Sequence, residues 1–297
     1  MSKRIPEIIS IALVALSLAL LVLLLAVRPG PSHAVEKRYG EIIHEEVSDF
    51  SSIRIREKGL TRSLLFVDPE GKELCQSSIA LDRPGELMLG YSKTILASHL
   101  FVHPQERVLI VGLGAGGMAQ FMNVVFPEMV VEAVEIDPVV VRLANEFFGT
   151  KETDRLIIHT ADAFEFFGRP GEQNRYDVVY MDAFLRASES SGLDLKTARL
   201  KTVSFLEDIK GRLSENGLVA FNLIEAETST PNDLESIAEV FSSVFQFSVP
   251  GTGNMVVLGL KNEEKVSRSA LEERAEKLDE TVNTGVSFLE LFRSIRK

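Results

Sequence analysis

Glycines cluster in Gly112-Leu113-Gly114-Ala115-Gly116-Gly117, directly after the apolar run Val108-Leu109-Ile110-Val111. Glycines at a strand end let the backbone approach a nucleoside closely, and the helix that follows offers free N–H groups and a partial positive charge. Glu135 closes the next apolar run about twenty residues on, where a carboxylate is placed to accept both hydroxyls of a ribose. Asp162 follows a third run, just before Ala163, and Asp182 follows a fourth, Tyr176-Asp177-Val178-Val179-Tyr180-Met181. Each acid has a plainer reading when taken singly. Glu135 could be a solvated strand-end charge, Asp162 the N-cap of a helix that begins at Ala163, and Asp182 another cap or loop charge. Their convergence at the carboxyl ends of three strands points instead to one crevice, because open α/β sheets place ligands and reactive groups on that rim.

The surrounding pattern supplies the elements that would position these groups. From Arg107 onward apolar strands alternate with amphipathic segments, which predicts a Rossmann-like, doubly wound, mostly parallel sheet ending in an antiparallel strand. Pro138 sits where a first helical turn tolerates a missing N–H. Upstream, the alternations Ser52–Arg56 and Ser63–Val67, with turn chemistry at Asp68-Pro69-Glu70-Gly71, predict a small antiparallel sheet. The expected divisions are an N-terminal anchor over 1–34, a tether over 35–49, the small sheet over 50–88, the Rossmann-like domain over 89–262 and a C-terminal helix over 263–297.

Composition excludes several partners. The formal net charge is −11 and no Lys/Arg-rich run interrupts it, so nucleic acid is not expected. A single cysteine, Cys75, rules out an internal disulfide and a thiolate metal cluster, and the five histidines show no ligand spacing, so no metal is expected. Lys3 and Arg4 precede an uncharged apolar run from Ile8 to Val27, which as a helix would reach about 30 Å, the depth of a bilayer core. That predicts a single-pass transmembrane helix. A cleaved signal peptide with Ser32-His33-Ala34 at its cleavage site is the rival reading.

The glycine loop, Glu135-Ile136-Asp137, Ala161-Asp162-Ala163-Phe164 and Tyr176–Asp182 follow one another in an order and spacing that resemble the spermidine synthase family, within the class I S-adenosylmethionine-dependent methyltransferase superfamily. The resemblance covers roughly residues 50–262. It implies S-adenosylmethionine or its decarboxylated form as cofactor, held by Gly112, Gly114, Gly116, Glu135 at the ribose, and Asp162 with Ala163 at the adenine. It also implies Asp182 as the catalytic residue, Gln76 and Tyr91 as substrate-facing residues, and a small-molecule amine as acceptor. Two positions depart from the pattern. The family's first loop carries Asp where this chain has Ala115, and its fourth strand is followed by a second Asp where this chain has Leu185. Fewer carboxylates suit a polycation less, so the sequence leans toward methyl transfer. Aminopropyl transfer to putrescine and a non-catalytic, membrane-bound nucleoside- or polyamine-binding module are the alternatives. A catalytic domain on the cytoplasmic side follows from the cytosolic cofactor, Arg186 to Leu200 is the expected substrate-side loop, and the edge of the small sheet is a candidate homodimer surface.

Overall fold

A computed structural model describes residues 33–169, 175–183, 200–225, 230–263 and 267–296. The chain opens with α1 (His33–Tyr39), then four antiparallel strands in sequential order, β1 (Glu41–Val47), β2 (Ser52–Lys58), β3 (Thr61–Val67) and β4 (Glu73–Ala80). Residues 35–49, expected to be a tether, thus hold a helix and an edge strand. Every second residue of β1 is exposed and three of its seven are glutamate, so the alternation reads as polar loop although the backbone pairs along its length with β2.

After α2 (Gly90–Thr94) and a 3₁₀ turn at Ile95–Leu100, a seven-stranded sheet begins with β5 (Arg107–Val111). It continues through α3 (Gly117–Val125), β6 (Val130–Glu135), α4 (Pro138–Phe148), β7 (Leu156–Thr160), α5 (Ala163–Gly168) and β8 (Tyr176–Met181). α6 (Val203–Arg212), β9 (Leu213–Ile224), α7 (Thr230–Val240), β10 (Ser243–Ser248) and β11 (Asn254–Leu260) complete it. The strand order is β10-β11-β9-β8-β5-β6-β7; β11 runs antiparallel to both neighbours and the rest of the sheet is parallel. Successive side chains in β5 go to opposite faces, as a pleated strand requires. Val108 and Ile110 join the core shared with Phe121 and Met122 of α3, while Leu109 and Val111 join the core shared with Phe205, Leu206 and Ile209 of α6.

Local chemistry fixes the helix that follows β6. Asp137 caps α4 by accepting the Val139 N–H at 2.9 Å, Pro138 occupies the first turn, and Gly149 at φ 73° ends it in the left-handed region. The C-terminal segment forms two helices rather than one, α8 (Arg268–Thr281) and α9 (Phe288–Arg293). Asp279 accepts the Phe288 N–H at 2.6 Å and the Ser287 hydroxyl at 2.9 Å, which turns the chain between them. Leu271, Leu278, Phe288 and Phe292 then bury against the sheet.

The expectation of a single-pass membrane protein with a cytoplasmic catalytic domain is corrected. No helix among the described residues is long and apolar enough to cross a membrane. The apolar run 8–27 that prompted the expectation lies outside the described residues, as do the loop 186–199 and Leu185.

Candidate active site

β5 and β8 are neighbours whose following segments diverge, and a cleft of about 490 Å³ opens there beneath the small sheet. Gly112 makes the close approach possible. Its φ is +98°, and a Cβ at this position would lie 2.6 Å from the main-chain oxygen of Asp182. Gly114, at φ +54°, forms cleft wall under Ser77 of β4. Gly116 does something different. It turns the chain into α3 at φ +80° and packs on Thr150, whose Oγ1 a Cβ would meet at 2.3 Å, and it does not line the cleft.

Glu135, Asp162, Ala163 and Asp182 all line this one cleft. Glu135 is half-buried, with Oε2 accepting the Leu113 N–H at 2.9 Å and Oε1 accepting the Asp137 N–H at 3.1 Å. Burial pushes its carboxyl above the ordinary value against these backbone hydrogen bonds. Each oxygen keeps lone pairs, so the pair of oxygens can accept two further hydroxyls side by side. Asp162 accepts the Phe164 N–H at 2.8 Å and so caps α5 while still facing the cleft, which unites its two sequence readings.

Asp182 stands at the tip of β8. Tyr91 donates its hydroxyl to Oδ2 at 2.9 Å and Asn222 donates Nδ2 to Oδ1 at 3.1 Å. Asn222 is 4% exposed and is itself oriented by Asn254, whose Nδ2 donates to Asn222 Oδ1 at 2.9 Å. Burial pushes the Asp182 carboxyl up to about 7, opposed by the hydrogen bonds from Asn222 and Tyr91. The same burial and the adjacent carboxylate push the Tyr91 phenol well above its ordinary value, so it remains a donor. Gln76 also lines the cleft, where its Nε2 donates to the Leu74 carbonyl at 3.2 Å.

Asn222, Asn254, Tyr39 and Arg38 line the cleft without having been singled out as site residues in the sequence, and Cys75, noted there only for its solitude, lines it too. Asn222 did leave a signal. It is the single polar side chain in the apolar run Leu218–Leu223, and a buried strand seldom keeps an amide without a partner to hold. Among the described residues there is no group of three or more His, Cys, Asp or Glu arranged to hold a metal ion.

A family model described as spermine/spermidine synthase domain matches residues 88–257. A polyamine aminopropyltransferase of Vibrio vulnificus is 29% identical over 239 residues, 80% of this chain and 77% of that protein. An eEF1A lysine and N-terminal methyltransferase of Bos taurus is 28% identical over 218 residues, 72% of this chain but 31% of that longer protein. Among solved structures, a probable spermidine synthase from Corynebacterium glutamicum superposes with a TM-score of 0.63 at 22% identity, covering 79% of this chain and 87% of that one, and so shares the fold.

Proposed function

This chain belongs to the spermine/spermidine synthase domain family and is an S-adenosylmethionine-dependent transferase, and we propose that it moves an aminopropyl group from decarboxylated S-adenosylmethionine to an amine acceptor. The observation that carries the proposal is the oriented carboxylate of Asp182, which shares one cleft with Glu135 and Asp162. The cleft suits a nucleoside donor by its chemistry. Glu135 offers paired acceptors for ribose hydroxyls, Asp162 offers an acceptor for an exocyclic amine, and Gly112 and Gly114 leave room for the body of the ligand.

The donor supplies a carbon activated by a neighbouring sulfonium, so the protein's task is alignment and proton management. An acceptor ammonium must lose a proton before its nitrogen can attack. Asp182, whose carboxyl burial raises to about 7, is a stronger base toward that ammonium than an ordinary carboxylate and still ionised in part at physiological pH. The nitrogen forms a bond to the activated carbon as the C–S bond breaks. The electron pair of that bond stays on sulfur, which leaves as a neutral thioether in 5′-methylthioadenosine. Tyr91 and Asn222 bind separate oxygens of Asp182 and fix its plane toward the incoming amine.

The sequence alone leans to methyl transfer. The aminopropyltransferase relative matches a larger share of both chains than the methyltransferase does, and this tips the reading toward aminopropyl transfer. One observation keeps methyl transfer as a second reading. Ala115, at the position where the family's loop carries an acid, is fully buried among Ile53, Ile55, Leu64 and Ile79, and presents no carboxylate to the donor's amino group. The nucleoside product separates the two. Incubation of the protein with each donor and a panel of amines should release 5′-methylthioadenosine from the decarboxylated donor, while S-adenosylhomocysteine from the carboxylated one would establish methyl transfer. Glu135→Ala should weaken nucleoside binding in a calorimetric titration by roughly tenfold or more. Undiminished affinity in that variant would remove Glu135 from the site.

A further inference from the structure

Asp182 has two partners of unequal character. The Tyr91 hydroxyl donates to Oδ2 at 2.9 Å, but a phenol oxygen also accepts, so by turning it suits a carboxylate or a carboxylic acid. A side-chain amide divides these roles, its nitrogen donating and its oxygen accepting. Asn222 presents the nitrogen, giving Nδ2 to Oδ1 of Asp182 at 3.1 Å, and so favours the ionised carboxyl. A half-turn of the same amide would present the oxygen and favour the protonated carboxyl. The far side of Asn222 decides between these two arrangements. There Nδ2 of Asn254 donates to Asn222 Oδ1 at 2.9 Å. If Asn222 turned alone, two NH2 groups would face each other, and at 4% exposure it has almost no water to turn toward.

Asn254 is itself held. It opens β11 opposite Ile224 of β9, and its N–H donates to Thr252 Oγ1 at 3.2 Å. The Glu225 N–H donates to the Gly253 carbonyl at 2.7 Å and pins the turn between β10 and β11 to the end of β9. The same turn backs the other partner, because a Cβ on Gly90, the residue before Tyr91, would lie 3.1 Å from Cγ1 of Val249. One hairpin turn therefore stands behind both donors of Asp182. Tyr91 of α2 is the ionisable group bonded to Asp182, and Glu135 of β6, Asp162 before α5 and Cys75 of β4 line the same cleft.

We propose that Asn254 is a positioning residue for transfer: it holds the Asn222 amide with its nitrogen toward Asp182, so that this carboxyl meets the acceptor as a base. This rests on the transferase reading given above and adds a residue to its machinery. Asn254 acts through Asn222 and not on the reacting atoms. It fixes which end of a buried amide Asp182 sees, and thereby which protonation state of Asp182 the site favours.

Carboxyl-carbon NMR of the full chain, with isotopically labelled aspartate, follows the titration of Asp182 directly; its resonance is identified by its loss in Asp182→Asn. The wild-type midpoint should fall at about 7. Asn254→Ala releases the Asn222 amide and should raise the midpoint by roughly half a pH unit or more. Asn254→Asp accepts from Asn222, turns its carbonyl toward Asp182, and should raise the midpoint by at least about one unit. In an Asn222→Ala background, Asn254→Ala should add nothing, because the amide through which it acts is gone. Unchanged dispersion of the other aspartate resonances shows that each variant is folded. A midpoint that Asn254→Ala and Asn254→Asp both leave in place overturns the proposal, and so does a full shift from Asn254→Ala in the Asn222→Ala background. Absence of 5′-methylthioadenosine binding to the wild type in a calorimetric titration brings down the transferase reading and the part of Asn254 in transfer with it, whereas normal nucleoside binding with an unmoved midpoint removes this inference alone.

Discussion

Asp182→Asn should abolish transfer and at the same time make the fold more stable above neutral pH. The reason is the carboxyl's position, which burial raises from 3.8 to about 7. A folded pKa above the unfolded one means that the folded state holds the proton more tightly. Stability is therefore full below the unfolded value near 4, falls as pH climbs toward 7, and levels off beyond it. A rise of this size corresponds to about 4 kcal/mol lost once the group is ionised in the fold. Asparagine carries no such cost. It still accepts one hydrogen bond through its carbonyl but turns an amide toward the other donor, which takes back about 1 kcal/mol. The variant should thus gain about 2–3 kcal/mol over the wild type at pH 8. Between pH 5 and pH 7 the gap should widen by about 1.4 kcal/mol per pH unit. Urea denaturation of both proteins at pH 5, 6, 7 and 8 measures it. Curves that run parallel across this range, or a wild type that gains on the variant as pH rises, would refute an Asp182 strained by burial.

Tyr91→Phe removes a hydrogen bond that favours the ionised carboxylate, so the rise of activity with pH, set by Asp182 near 7, should move up by about one pH unit; a profile that stays in place would mean that Tyr91 does not govern Asp182. Glu132→Gln should cost about 3 kcal/mol in thermal or urea unfolding, because Glu132 is 2% exposed and bonds Arg107 and Arg175 at 2.6 Å and His159 at 2.9 Å. Burial works against that carboxyl, but these partners hold it below its ordinary value, so its contribution is present above about pH 4.3 and disappears as pH falls through the lowered folded value; equal acid sensitivity in wild type and variant would contradict it.

The acids of the site were legible because strand ends announce themselves. Val108–Val111, Val130–Glu135 and Tyr176–Met181 are apolar runs cut short by a glycine or a carboxylate, and such runs locate the rim of a parallel sheet before any coordinates exist. The cleft wall formed by α1 and the small sheet was less legible. Arg38 and Tyr39 come from a stretch whose charge reads as linker, and Glu73 and Arg56 meet only once β2, β3 and β4 have paired in register. Gly116 belongs to a glycine motif that suggests ligand contact, yet Thr150 occupies the space beside it; a one-dimensional motif does not tell a glycine facing a ligand from one facing a neighbouring side chain. Asn254 is invisible for a similar reason. Its partner Asn222 lies 32 residues away across the β9–β11 pairing, and nothing local marks the contact.

The packing of Ala115 limits what can replace it. Its side chain sits in the seam where the small sheet meets α4, and its carbonyl accepts the Thr150 hydroxyl at 2.6 Å. An aspartate there would be wrapped in isoleucine and leucine rather than presented to a bound molecule, and an unpaired carboxylate in such surroundings is expelled or protonated. A single substitution therefore does not lead back to an acid-bearing loop. To place an acid at position 115 the isoleucine and leucine side chains packed over it must change as well.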